Sequence, residues 1–105
     1  MEFRFNENNY ENEVLKSDIP VMIDFYAEWC GPCRMMSPLV EQFATEYAGK
    51  VGIGKCNVDE NRELTKQFGV SSIPAIFFIK KGKIVDQHLG YCEKEVLKAK
   101  INKWK

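Results

Sequence analysis

The chain has 105 residues, 45% of them apolar, which suits one domain (1–105) with one core and no disulfide staples. Fifteen basic and fifteen acidic residues cancel, so no overall field would recruit nucleic acid or an anionic membrane, and the expected partners are other proteins or small thiols. The opening Met1-Glu2-Phe3-Arg4-Phe5-Asn6-Glu7 lacks the apolar stretch of a secretory signal, and no later run could cross a bilayer, so a cytoplasmic protein is expected.

Phe3 to Phe5 reads as a short first strand, and Asn9 to Lys16 carries Tyr10, Val14 and Leu15 at helical spacing. Val21 to Tyr26 is almost wholly apolar, the pattern of a strand covered on both faces, and therefore a central one. Pro32 suits the first turn of a helix, where its missing N–H would have no partner anyway. Met35, Met36, Leu39, Val40, Phe43 and Tyr47 then supply its apolar stripe, Pro38 predicts a kink rather than a break, and Gly49 ends it. Val51 to Val58 reads as a strand, Asn61 to Phe68 as a two-turn helix closed by Gly69, and Ala75 to Ile79 as a second buried strand. Lys81-Gly82 turns into a strand at Ile84 to Leu89, and Glu93 to Trp104, with Leu97, Ile101 and Trp104 on one stripe, closes the chain as a helix. The order is βαβαβα followed by ββα, which predicts an α/β fold with a mixed sheet, helices on both faces, and a final antiparallel hairpin.

Trp29-Cys30-Gly31-Pro32-Cys33 falls at the turn from the central strand into the long helix. Two thiols at this spacing can form and break a local disulfide, and the turn leaves Cys30 exposed with Cys33 in the first helical turn. The helix end favours a Cys30 thiolate by roughly 0.3 to 2 kcal/mol, about one pKa unit at 1.4 kcal/mol each, and the Cys33 thiol as donor adds to this. Asp24, set in Met22-Ile23-Asp24-Phe25, is a candidate base for Cys33 whose pKa burial would raise, partly offset by Lys55 on the neighbouring strand. A raised Asp24 would make stability fall as pH climbs from the unfolded to the folded value of that carboxyl. Cys56 alternates with Lys55 and points to the opposite face as an inert core thiol. Cys92 flanks a helix start, where it is either a core residue or an exposed, reactive thiol. His88 reads as a strand surface residue, and Met35-Met36 as helix core or rim. A zinc or iron–sulfur site needs four ligands, whereas only one pair here has ligand spacing, so no metal is expected.

Taken together, Asp24 six residues before Cys30, the run through Trp29-Cys30-Gly31-Pro32-Cys33, Lys55 before Asn57-Val58-Asp59, Ile73-Pro74, Lys81-Gly82 and Gly90 resemble the thioredoxin family over nearly the whole length. The resemblance implies a thioredoxin fold, a four- to five-stranded mixed sheet flanked by about four helices, and a cis bond before Pro74. It implies a monomeric protein-disulfide reductase with no bound cofactor, whose electrons come from NADPH through a flavin-containing thioredoxin reductase. Cys30 would attack, Cys33 resolve, and Asp24 and Lys55 assist. Trp29, Gly31, Pro32, Ile73, Pro74, Leu89 and Gly90 would form an apolar docking patch for extended substrate. Ala75 in place of a usual threonine and Tyr26 in place of a tryptophan leave this chemistry intact. Two rivals stay open at this point: a disulfide isomerase or oxidase of the same fold, and a binding module in which the cysteines are incidental.

Overall fold

Six successive residues with no wet side have only one place in an α/β domain, the middle of the sheet. The computed structural model describes residues 3–105; Met1 and Glu2, the first of the opening residues that lack the apolar stretch of a secretory signal, lie outside the described residues. In it β2 (Val21–Tyr26) is buried at every position. It pairs in parallel with β3 (Gly52–Asn57) and antiparallel with β4 (Ala75–Lys80). With β1 (Phe3–Arg4) and β5 (Lys83–Leu89) the strands form one five-stranded mixed sheet in the order β1-β3-β2-β4-β5. β1 contributes only two residues, and β5 forms the expected hairpin with β4 through Lys81-Gly82, both at positive φ.

Alternation along β2 sorts its side chains between two cores. Ile23 and Phe25 join Phe68, Phe77 and Leu64 on the face covered by α2 (Arg62–Gln67) and the helical turn Glu11–Leu15. Met22 joins Met36, Val40, Phe43, Leu97 and Ile101 on the face covered by α1 (Gly31–Glu46) and α3 (Lys94–Trp104). Each fully buried side chain of this size contributes about 1.5–3 kcal/mol, so the two layers hold α1 and its amino end firmly against the sheet. Pro38 lies inside α1 without ending it, and Gly49 at φ +85° follows the helix where the chain turns back to β3.

The amino-terminal helix departs from expectation. Lys16 N–H bonds the Glu11 carbonyl, five residues back, so the turn is wider than an α-helix; Val14 is its buried residue and Leu15 is 38% exposed. Too few apolar anchors fix its pitch. At the other end α3 is fastened to β5 by Asp86, which accepts from Lys100 Nζ at 3.1 Å and from the Trp104 indole at 3.0 Å. Burial pushes the Asp86 carboxyl up, but these two donors and the Gln87 N–H outweigh it and hold it below its ordinary value.

Candidate redox site

After β2 the chain stays buried through Ala27, then turns outward at Glu28 and Trp29 before entering α1. Cys30 caps that helix: its backbone is extended (φ −90°, ψ 114°) and its Sγ accepts the Cys33 N–H at 3.2 Å, the place usually taken by a capping oxygen. No acidic residue occupies the first turn to offset the helix's positive end, and Arg34 adds a guanidinium there, tethered to the Glu28 carbonyl at 3.1 Å. Cys30 and Cys33 are joined in a disulfide with Cα atoms 5.2 Å apart, so this is the oxidised form.

The expectation of a bare Cys30 is corrected: the residue is 6% exposed, against 2% for Cys33. Tyr26, Ala27, Val58 and Ile73 pack around the pair, and what stands open is the rim of Trp29 (68% exposed), Gly31 and Pro32. The indole of Trp29 is pinned outward by Asp59, which accepts its N–H at 2.9 Å.

The Ile73-Pro74 bond is cis, and the Ile73 carbonyl oxygen lies 3.9 Å from Cys30 Sγ. Pro74 presents no open surface as the docking patch supposed; it is buried, and its carbonyl accepts the Gly90 N–H at 2.7 Å. Leu89, which pairs with Ala75 across the hairpin, is 53% exposed and keeps its place on the rim.

Asp24 is completely buried, in register with Lys55 on β3 and Ile76 on β4, on the sheet face that α1 covers. Lys55 is 6% exposed; its Nζ donates to Ser37 Oγ on α1 at 2.6 Å and lies 4.7 Å from the centroid of the Tyr26 ring. The Tyr26 hydroxyl accepts from Arg4. A cleft of about 280 Å³ opens beside this group, lined by Arg4, Tyr26, Lys55, Asn57 and Glu60 among others. The sequence reading names Asp59 only within the run Asn57-Val58-Asp59 that carries the resemblance, and gives Ser37 and Arg4 no role. Ser37 alone left a signal, a hydroxyl one helical turn beyond Cys33.

Cys56 is buried on the opposite face from Lys55, as alternation predicts, and burial, helped by the charges of Glu7 and Asp24, pushes its thiol up to about 12. Cys92 resolves to the core: it is 7% exposed, packed with Met36, Ile76 and Leu97. Burial raises its thiol, Lys100 works against this, and Glu93 and Asp24 add to it. His88 is half-buried on β5, and the methionine pair splits, Met36 into the core and Met35 to the surface. Among the described residues no group of three or more His, Cys, Asp or Glu is placed to hold a metal, and no described helix is long and apolar enough to cross a membrane.

The family model for thioredoxin matches residues 2–103. The thioredoxin of Chlorobaculum thiosulfatiphilum is 46% identical over 100 residues, covering 95% of this chain and 93% of the relative. That of Alicyclobacillus acidocaldarius is 51% identical over 89 residues, 85% of each chain. That of Haemophilus influenzae is 46% identical over 97 residues, covering 92% of this chain and 91% of its own.

Proposed function

This chain belongs to the thioredoxin family, and from that premise we propose how its residues carry out protein-disulfide reduction. The protein is a thiol–disulfide oxidoreductase, and its cysteine pair cycles between the disulfide of this structure and a dithiol. In the dithiol, the Cys30 thiolate attacks one sulfur of a substrate disulfide, forming a mixed disulfide and releasing the first substrate thiolate. Cys33 then attacks the Cys30 sulfur, the Cys30–Cys33 bond closes, and the second substrate thiolate leaves. The order of roles follows the small difference in exposure and the capping position of Cys30. Helix-end stabilisation of the Cys30 thiolate also makes Cys30 the better leaving group when the pair is reduced again.

Cys33 must shed a proton to resolve the intermediate, and Asp24 receives it. Complete burial disfavours the charged carboxylate and so makes Asp24 a stronger base than an exposed one, while the neighbouring Lys55 moderates that effect. Substrate lies extended over Trp29, Gly31, Pro32 and Leu89, bonding the backbone at Ile73, with Pro74 as floor and Gly90 as the adjoining turn. No cofactor is bound; NADPH supplies electrons through a thioredoxin reductase, and the protein acts as a monomer in the cytoplasm. Two free thiols, Cys56 and Cys92, suit a reducing compartment.

One observation carries this reading: a disulfide caps α1 with a backbone carbonyl 3.9 Å from its outer sulfur, which is the arrangement an incoming chain needs. In the test, Cys33→Ser is reduced and mixed with disulfide-containing proteins. It should accumulate covalent mixed disulfides through Cys30 that a dithiol reductant releases, and Cys30→Ser should accumulate none. A Cys33→Ser protein that traps nothing would leave only a binding module.

A further inference from the structure

Lys55 is fixed by groups that the exchange scheme leaves idle. Its ammonium donates to Ser37 Oγ at 2.6 Å, and the Ser37 hydroxyl lies 3.2 Å from Glu41 Oε2, one turn further along α1. A hydroxyl has one proton to give and two lone pairs to accept with. An ammonium only donates and a carboxylate only accepts, so the serine must give its proton to Glu41 and turn a lone pair to Lys55. The result is a chain of fixed direction, ammonium to hydroxyl to carboxylate, that ends on an exposed residue. Tyr26 offers its ring face to the same ammonium, and Arg4 holds that ring by its hydroxyl.

The geometry points to Ser37 as a positioning residue for the reaction: by holding the Lys55 ammonium toward α1, it sets how strongly that charge acts on Asp24, the register partner of Lys55. This rests on the reading of Asp24 as the base for Cys33. Among the described residues, the charged or titratable groups about the pair include Glu41, bonded to Ser37 on α1, Arg4 on β1, Tyr26 on β2, Glu60 in the cleft beside Lys55, Cys92 ahead of α3 and Cys56 on the far face of β3, with Cys33 in the first turn of α1. Without the Ser37 acceptor the ammonium is left to its remaining neighbours, the in-register Asp24 carboxylate among them, and a stronger pull from that charge weakens Asp24 as a base.

The test isolates the resolving step. A mixed disulfide is formed between Cys30 and the coloured thiol 5-thio-2-nitrobenzoate. Attack by Cys33 then breaks that bond, closes Cys30–Cys33 and releases the coloured thiolate, while the Cys33 proton passes to Asp24. The release rate is followed by rapid mixing between about pH 5 and 10. Ser37→Ala, a change that a helix accepts readily, should move the acid limb down by about half a pH unit or more and slow the plateau about threefold or more. Ser37→Thr should restore the native profile, and Glu41→Gln should move it less and in the same direction as Ser37→Ala. Asp24→Asn should move the limb up by more than about one unit, to the ionisation of Cys33 itself. If Asp24→Asn leaves the limb in place, the base reading fails. If Asp24→Asn moves it while Ser37→Ala superimposes on the native profile, or Thr fails to restore it, Ser37 is merely structural and this inference is overturned.

Discussion

The four cysteines occupy two settings, and the contrast separates what a thiol is from what its surroundings make it. Cys30 and Cys33 lie at the amino end of α1, with a helix N–H on one sulfur and no acidic residue in the first turn. Cys56 and Cys92 lie in the two apolar layers either side of the sheet, and burial pushes both thiols up, Cys56 to about 12. All four residues are under a tenth exposed, so gross exposure does not make the difference. Local field and hydrogen bonding do: a helix end stabilises the thiolate, and an apolar layer with carboxylates nearby disfavours it.

Selective alkylation is the widest way to break that contrast. In the reduced native protein near neutral pH, Cys30 should react first with iodoacetamide. Cys56 should react at least about a thousandfold more slowly than a free thiol, because a thiol at about 12 carries over a thousand times less thiolate than one near 8.5. Mass spectrometry of quenched samples reads the order, and in denaturant all four should label alike. Native labelling of Cys56 or Cys92 at the rate of Cys30 would erase the distinction.

A second measurement sharpens it thermodynamically. The Cys56 thiol keeps its proton in the native state until about pH 12, whereas the unfolded chain loses it from about pH 9.0. Between those values the native state binds more protons, so its stabilising contribution is complete below the window and is lost as pH rises through it. The slope is at most about 1.4 kcal/mol per pH unit, or about 4 kcal/mol across the window. Cys56→Ala leaves a small cavity, but its unfolding free energy should decline less steeply than the native protein's above about pH 9. Parallel declines would place the Cys56 thiol in an environment no different from the unfolded chain.

Most of the frame was legible because it is written locally. Val21–Tyr26 is apolar at five of its six positions, all but Asp24, and matched its strand to the residue. The cysteine pair and Asp24 stood out by spacing and setting, and Pro74 through the family resemblance. What escaped were contacts made by folding: Lys55 meets Ser37 from 18 residues away, Arg4 meets Tyr26 from 22, and Trp29 meets Asp59 from 30. No helical or strand period links positions so far apart. The burial of Pro74 and Cys30 escaped for the same reason, since neighbours from other elements close over them.

Cys92 gives the smallest and most discriminating effect, because sequence left two roles open for it. As a core residue among Met36, Ile76 and Leu97, it contributes volume and little else. Cys92→Ala should cost about 1 kcal/mol for the vacated space and leave kcat/KM for disulfide reduction within about twofold. Cys92→Ser keeps the volume but puts a hydroxyl where the sulfur was, and an apolar layer charges about 1–2 kcal/mol for a hydroxyl without a partner. The order of stabilities in urea should therefore be native, then Ala, then Ser. If Ser proves as stable as the native protein, a polar partner faces that position and the layer is not as dry as its neighbours imply. A large fall in activity with either substitution would move Cys92 out of the core setting and into that of the pair at α1.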